Sequence, residues 1–203
     1  MDLSTAEDTT FWCLFLFAFH CMARKSNLVP DSYGAFDPEK QLSRGRITAA
    51  PHGLTVTWSW TKTIQFGERE HVVPLIPIRS SLLCPVTAYL RMCLLTPAAL
   101  HDPAFAFRNK AGILRPILYA HLQSMLKRLI QAIGLDPADY SSHSFRRGGC
   151  TFAFSANVPS ELIKRHGDWR SDCYQRYIDM GTEQRLALST RVRQHILTGE
   201  NLQ

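Results

Sequence analysis

A chain of 203 residues that is 45% hydrophobic and 20% charged is long enough for one sizeable domain and too apolar to stay disordered. Its formal charge of +6, with the basic excess from Lys62 onward, favours a polyanionic partner without identifying one. The six cysteines form no C-x-x-C pair, which argues for unpaired thiols in a reducing compartment over a disulfide scaffold, a secreted protein or a zinc site.

Residues 11–23 are strongly apolar, but the run is too short to span a bilayer and contains His20. The first ten residues carry Asp2, Glu7 and Asp8 and no Lys or Arg, unlike a signal peptide. A buried helix over residues 5–25 is expected instead, with Thr5 as its cap, ending before Asn27 and Pro30. Residues 30–40 are rich in turn formers. Residues 46–48, 54–60 and 72–78 alternate β-branched and aromatic side chains with others, which predicts an antiparallel sheet of two or three strands. Pro74 and Pro77 put the third segment at a sheet edge, and residues 67–70 are the turn before it.

The remainder reads as helical. Pro85 opens a helix over residues 85–95. Tyr119, Leu122, Met125, Leu126, Leu129, Ile130 and Ile133 recur at helical spacing until Gly134 and Pro137. Ser141 or Ser142 caps a helix from His143 to about Ser155, and residues 160–166 form a short helix ended by Gly167. Ser171 or Asp172 caps a helix carrying Tyr174 and Tyr177, and residues 182–197 are a last amphipathic helix. The expected class is mainly α with a small antiparallel β-sheet, in one domain without repeats or linker.

The chemistry begins with His143 and Arg146. At i and i+3 on a helix they share a face, where the guanidinium fork matches a phosphate and the imidazole can move a proton near neutral pH. Alone, this pair is a weak signal, compatible with solvated basic residues on a capped helix. Further groups surround it in order: Arg24-Lys25-Ser26-Asn27-Leu28, then Trp60-Thr61-Lys62-Thr63, then the run from Gly167-Asp168-Trp169 to Tyr177-Ile178.

This ordered set resembles the tyrosine recombinase (phage integrase) family over residues 10–178. The motifs R-x-S-N-L and G-D-W-x-S-D-x-Y-x-R-Y-I look most like the Crypton and DIRS recombinases of eukaryotic mobile elements. The resemblance implies the catalytic-domain fold of a DNA breaking and rejoining enzyme, with double-stranded DNA as partner, no cofactor and no metal. It implies that Arg24 and Arg146 clamp the scissile phosphate, that Lys62 protonates the leaving 5′ oxygen, and that His143 assists proton transfer. Trp169 would donate to the phosphate, and Tyr177 would attack phosphorus to give a 3′-phosphotyrosine. It further implies a homo-oligomer, a tetramer on DNA, coupled through the C-terminal helix, and a nuclear protein in a eukaryote.

Each assignment has a rival. Arg69 could replace Lys62, His166 could replace Trp169, and Tyr174 lies three residues before Tyr177. The family often has an acidic residue where Asn27 stands here, which puts the support of Arg24 in doubt. Relatives also carry a preceding helical domain that clamps DNA; the reading here is of a catalytic domain over residues 1–203 with that core-binding domain absent. A non-catalytic DNA-binding or assembly module that kept the fold is therefore the alternative to an active strand transferase.

Overall fold

The computed structural model describes residues 1–178 and 182–198. The first helix, α1 (Ala6–His20), starts where the Thr5 hydroxyl accepts from the Asp8 N–H at 3.2 Å, with Glu7 and Asp8 in its electropositive first turn. It is buried on most sides, and Cys13, Leu14 and Phe17 are fully enclosed, as an apolar run without a polar stripe requires. The sequence predicted a continuous helix to residue 25, but the helix stops at His20. The Ala23 N–H reaches back to the Ala18 carbonyl at 3.2 Å and the Met22 N–H to that of Phe19 at 3.1 Å, with Met22 at φ 48°. This is a Schellman ending. Methionine holds the left-handed position usually given to glycine, so the sequence carried no stop signal there. Arg24, in extended backbone, then stands at the cap position of the four-residue α2 (Lys25–Leu28).

Strands β1 (Ile47–Ala50), β2 (Gly53–Trp58) and β3 (His71–Leu75) form an antiparallel sheet in that order. Ile47 pairs with Val56, and Val56 with Val73. Along β2, Leu54, Val56 and Trp58 are buried while Thr55 and Thr57 are half-buried, the two-residue period of the sequence. β3 is an edge strand with Pro74 opposite Thr55, as its missing N–H demands. After β2 the chain makes a tight turn closed by backbone bonds between Thr61 and Ile64, at 2.9 and 3.2 Å, with Lys62 exposed inside it.

The helix α3 (Pro85–Leu95) follows, then a hairpin of β4 (Ala106–Arg108) and β5 (Leu114–Pro116) that the sequence did not reveal. Three-residue strands are too short to show alternation. Then come α4 (Tyr119–Ala132), α5 (Ser142–Ser155) and α6 (Ser160–His166), and α7 (Thr182–Thr198) is last. The segment expected as a helix around Tyr174 and Tyr177 is a 3₁₀ helix, Asp172–Tyr177. No described helix is long and apolar enough to cross a membrane.

α1 lies at the centre, against α3, β4 and α5. Phe17 meets Tyr89 and Phe105 at ring separations of 5.6 and 5.4 Å. A second, smaller cluster of Met22, Cys150, Ile163, Trp169 and Tyr174 sits beneath the candidate site. α5 lies close against α1 at Gly149, where an added Cβ would lie 2.3 Å from the Phe19 carbonyl oxygen. Gly149→Ala is therefore expected to push α5 off α1, at about 1–3 kcal/mol for overpacking. Thermal melting checks this; an unchanged melting temperature would show that the helices can part without cost.

Candidate active site

The N-terminus of α5 is fixed by a capping box. The Ser141 hydroxyl accepts from the His143 N–H at 3.3 Å, and the Ser144 hydroxyl accepts from the Ser141 N–H at 3.1 Å. His143 thus sits in the first turn and Arg146 on the same face one turn later.

Arg146 is 3% exposed. Its Nη1 donates to the Met22 carbonyl, its Nη2 donates to the Gly167 carbonyl at 2.7 Å, and its guanidinium stacks 3.9 Å from the Trp169 ring centre. Burial and the neighbouring Arg24 pull its pKa down to about 9, so it stays charged at neutral pH. Two of five N–H donors are used on carbonyls, which leaves three for an anion. Gly167 is what admits the indole: a Cβ there would lie 1.7 Å from the Trp169 ring.

Tyr177 and His143 meet directly, Oη to Nε2 at 2.8 Å, with the rings edge-on at 5.3 Å. The Tyr177 carbonyl accepts from the Thr151 hydroxyl, and its ring centre lies 6.1 Å from that of Trp169. Partial desolvation, followed by Arg146, Arg24 and Arg147, holds the His143 pKa below the usual histidine value. A neutral imidazole can accept the phenol proton. Tyr177 is half-buried and borders a cleft with Ser144, Arg147, Thr151 and Arg176 on its walls, whereas Tyr174 is 4% exposed and packs on Trp169.

Arg24 lines the same small pocket as Arg146, Thr61, Gly167 and Asp168. Asn27 lines it too and its backbone N–H donates to the Arg24 carbonyl at 3.0 Å, but its side-chain amide turns away from the Arg24 guanidinium and donates to the Trp60 carbonyl at 3.0 Å and to that of Lys40 at 3.4 Å. The carboxylate facing Arg24 belongs to Asp168, at 3.9 Å. Lys62 has no side-chain ion pair among the described residues, while Arg69 pairs with Asp168 at 2.5 Å. His166 contacts the His20 carbonyl at 2.8 Å. So Arg24, His143, Arg146, Trp169 and Tyr177 converge, and Lys62 stands on a turn at the edge of their pocket. Sequence reasoning missed Asp168 and Met22. The position of Asp168 between Gly167 and Trp169 was its one available signal.

No protein-family model and no curated protein matches the chain. Solved structures do. The XerH site-specific recombinase bound to palindromic difH substrate, a post-cleavage complex, superposes with a TM-score of 0.64 at 16% identity. That match covers 96% of this chain and 48% of the other. The pre-cleavage XerH complex with difH gives 0.59 at 16% identity, over 94% and 48%. A variant of the Tn1549 transposon integrase in complex with a circular intermediate DNA gives 0.50 at 14%, over 88% and 57%. The chain spans about half the length of these proteins, and at such identity the likeness is one of fold. Mostly helical, with its small antiparallel sheet and this superposition, the chain has the fold of the tyrosine recombinase catalytic domain.

Proposed function

We propose that the chain cuts and rejoins duplex DNA strands through a 3′-phosphotyrosine on Tyr177. The observation that carries this reading is the 2.8 Å contact of Tyr177 with His143, one helical turn from a buried Arg146 that two backbone carbonyls hold in place. Arg146 and Arg24 hold the non-bridging oxygens of the phosphate and stabilise the charge that builds on them in the transition state. The phenol passes its proton to His143 as Oη bonds to phosphorus. The bond from phosphorus to the 5′ oxygen breaks, and Lys62 supplies the proton that oxygen needs. Rejoining is the reverse: the 5′ hydroxyl attacks and Tyr177 leaves. Trp169 supports Arg146 by stacking and borders the nucleophile. The R-x-S-N-L and G-D-W motifs support an origin in a eukaryotic mobile element of the Crypton or DIRS type, and hence a nuclear site of action.

A nicked duplex that loses its 5′ fragment on cleavage tests the reading, because the covalent adduct then accumulates and separates on a denaturing gel. Absence of an adduct, even with a full-length partner, would leave a non-catalytic DNA-binding module in its place. Duplex binding is expected to weaken steeply with salt, by about 10³-fold or more between roughly 50 and 200 mM if six or more phosphates are contacted. Affinity that does not change over that range would remove the phosphate-tracking surface.

In the assembled complex, α7 docks on a neighbouring protomer. Leu186, Val192, Ile196 and Leu197 are all more than half exposed on it, while the Leu188 side chain, also assigned to this apolar set, lies outside the described residues. Deleting residues 182–203 should abolish cooperative assembly on DNA while preserving single-site binding. Cooperative mobility shifts from the truncated protein would overturn the docking role.

A further inference from the structure

Asp168 has no part in the scheme above, yet it is the most heavily bonded side chain of the site. It is 6% exposed and sits at φ 54°, a left-handed backbone that costs a non-glycine residue energy. Its Oδ2 accepts from the hydroxyl of Thr61 at 2.6 Å and from that of Thr63, its Oδ1 accepts from Arg69, and Arg24 stands 3.9 Å away. Burial opposes its charge, but these donors prevail and hold the carboxyl below its usual range. Among the residues lining the pocket it is the only carboxylate, set against Arg24, Arg146 and His71.

Thr61 and Thr63 are the two neighbours of Lys62. Both are buried, at 3% and 8% exposure, and Lys62 between them is exposed. Lys62 thus sits exposed on a tight turn whose two flanking side chains are both held by Asp168. Arg170 adds a second tie, donating to the Thr63 carbonyl at 2.8 Å. The segment that fixes the turn therefore also carries Trp169, which stacks on Arg146.

We propose that Asp168 is a positioning residue that pins the Lys62 turn to the Arg24–Arg146 pocket, so that the proton donor and the phosphate grip are held by one carboxylate. The proposal rests on the strand-cleavage reading. It adds a requirement to that reading: losing the carboxylate should harm proton delivery to the leaving oxygen more than it harms attack by Tyr177.

The test compares two nicked duplexes, one with the natural bridging 5′ oxygen and one with sulfur in its place. A thiolate leaves without a proton, so the sulfur substrate bypasses Lys62. Lys62→Ala is the reference. Asp168→Asn, which keeps shape and removes charge, is expected to slow adduct formation on the oxygen substrate by about 10²-fold, the scale of a 1 Å misplacement. On the sulfur substrate it should come within a few-fold of the unmodified protein. Thr63→Val should shift both in the same direction by less, and it carries the test if Asp168→Asn melts too low to assay. Equal rates for variant and unmodified protein on both substrates overturn the proposal alone. A defect of the same size on both substrates also overturns it, since Asp168 then acts through the fold or Arg24. No adduct from the unmodified protein on either substrate overturns the strand-cleavage reading and this proposal with it.

Discussion

Tyr177→Phe is expected to abolish the covalent protein–DNA adduct while leaving duplex binding nearly unchanged. The substitution removes one oxygen, the one 2.8 Å from His143, and keeps the ring that lies beside Trp169. Attack on phosphorus needs that oxygen in line with the leaving 5′ oxygen, so a hydroxyl elsewhere cannot easily replace it. Tyr174 is the only close competitor by sequence, and the fold buries it against Trp169. Tyr174→Phe should keep most of the activity. Both variants can be read on one gel of the nicked-duplex reaction. An adduct that survives in Tyr177→Phe and vanishes in Tyr174→Phe would move the nucleophile three residues upstream.

Arg146→Ala is expected to slow cleavage by about 10³-fold or more, since removal of one charge-stabilising donor commonly costs 10²–10³-fold and here several are lost together. It should also lower stability. The Met22 and Gly167 carbonyls lose their donor, at about 1–3 kcal/mol for each buried group left unpaired, and Trp169 loses its stacking partner. Arg146→Lys separates the two effects. It keeps the charge, but an ammonium with three donors cannot serve two carbonyls and a phosphate in the fork geometry of a guanidinium. DNA affinity should survive in the lysine variant while the single-turnover rate falls. A lysine variant that cleaves at the unmodified rate would show that charge alone, not the fork, grips the phosphate.

The long helices and the three-stranded sheet were legible because period is a local property. Val56, Trp58 and the α4 leucines announce their faces whatever surrounds them. Of the candidate residues named from the motifs, Arg24, His143, Arg146, Trp169 and Tyr177 come together while Lys62 stands at the edge; spacing favoured Tyr177 over Tyr174, and the fold leaves Tyr177 half-buried and Tyr174 buried. What stayed hidden were features decided by partners far away in the chain. α1 ends at His20 because the chain turns at Met22, whose carbonyl serves an arginine 124 residues later, and no glycine marks that turn. Asp168 was quoted within a motif and given no task, because its donors Thr61 and Thr63 lie more than 100 residues upstream. The β4–β5 hairpin escaped because six residues carry too little pattern.

The cage around Arg146 also sets the order in which the candidate site can assemble. One wall comes from the end of α1 and the other from the Gly167 turn, and the phenol follows only at residue 177. Contacts of such long sequence separation form late, after the entropy of closing large loops has been met. A nascent or half-folded chain can own a helix with His143 and Arg146 on one face, yet it has neither the bracing carbonyls nor Tyr177 beside His143. On the proposed strand-cleavage reading, covalent capture of DNA should therefore return on refolding in step with burial of the Trp169 indole against Arg146, a change that intrinsic fluorescence can follow.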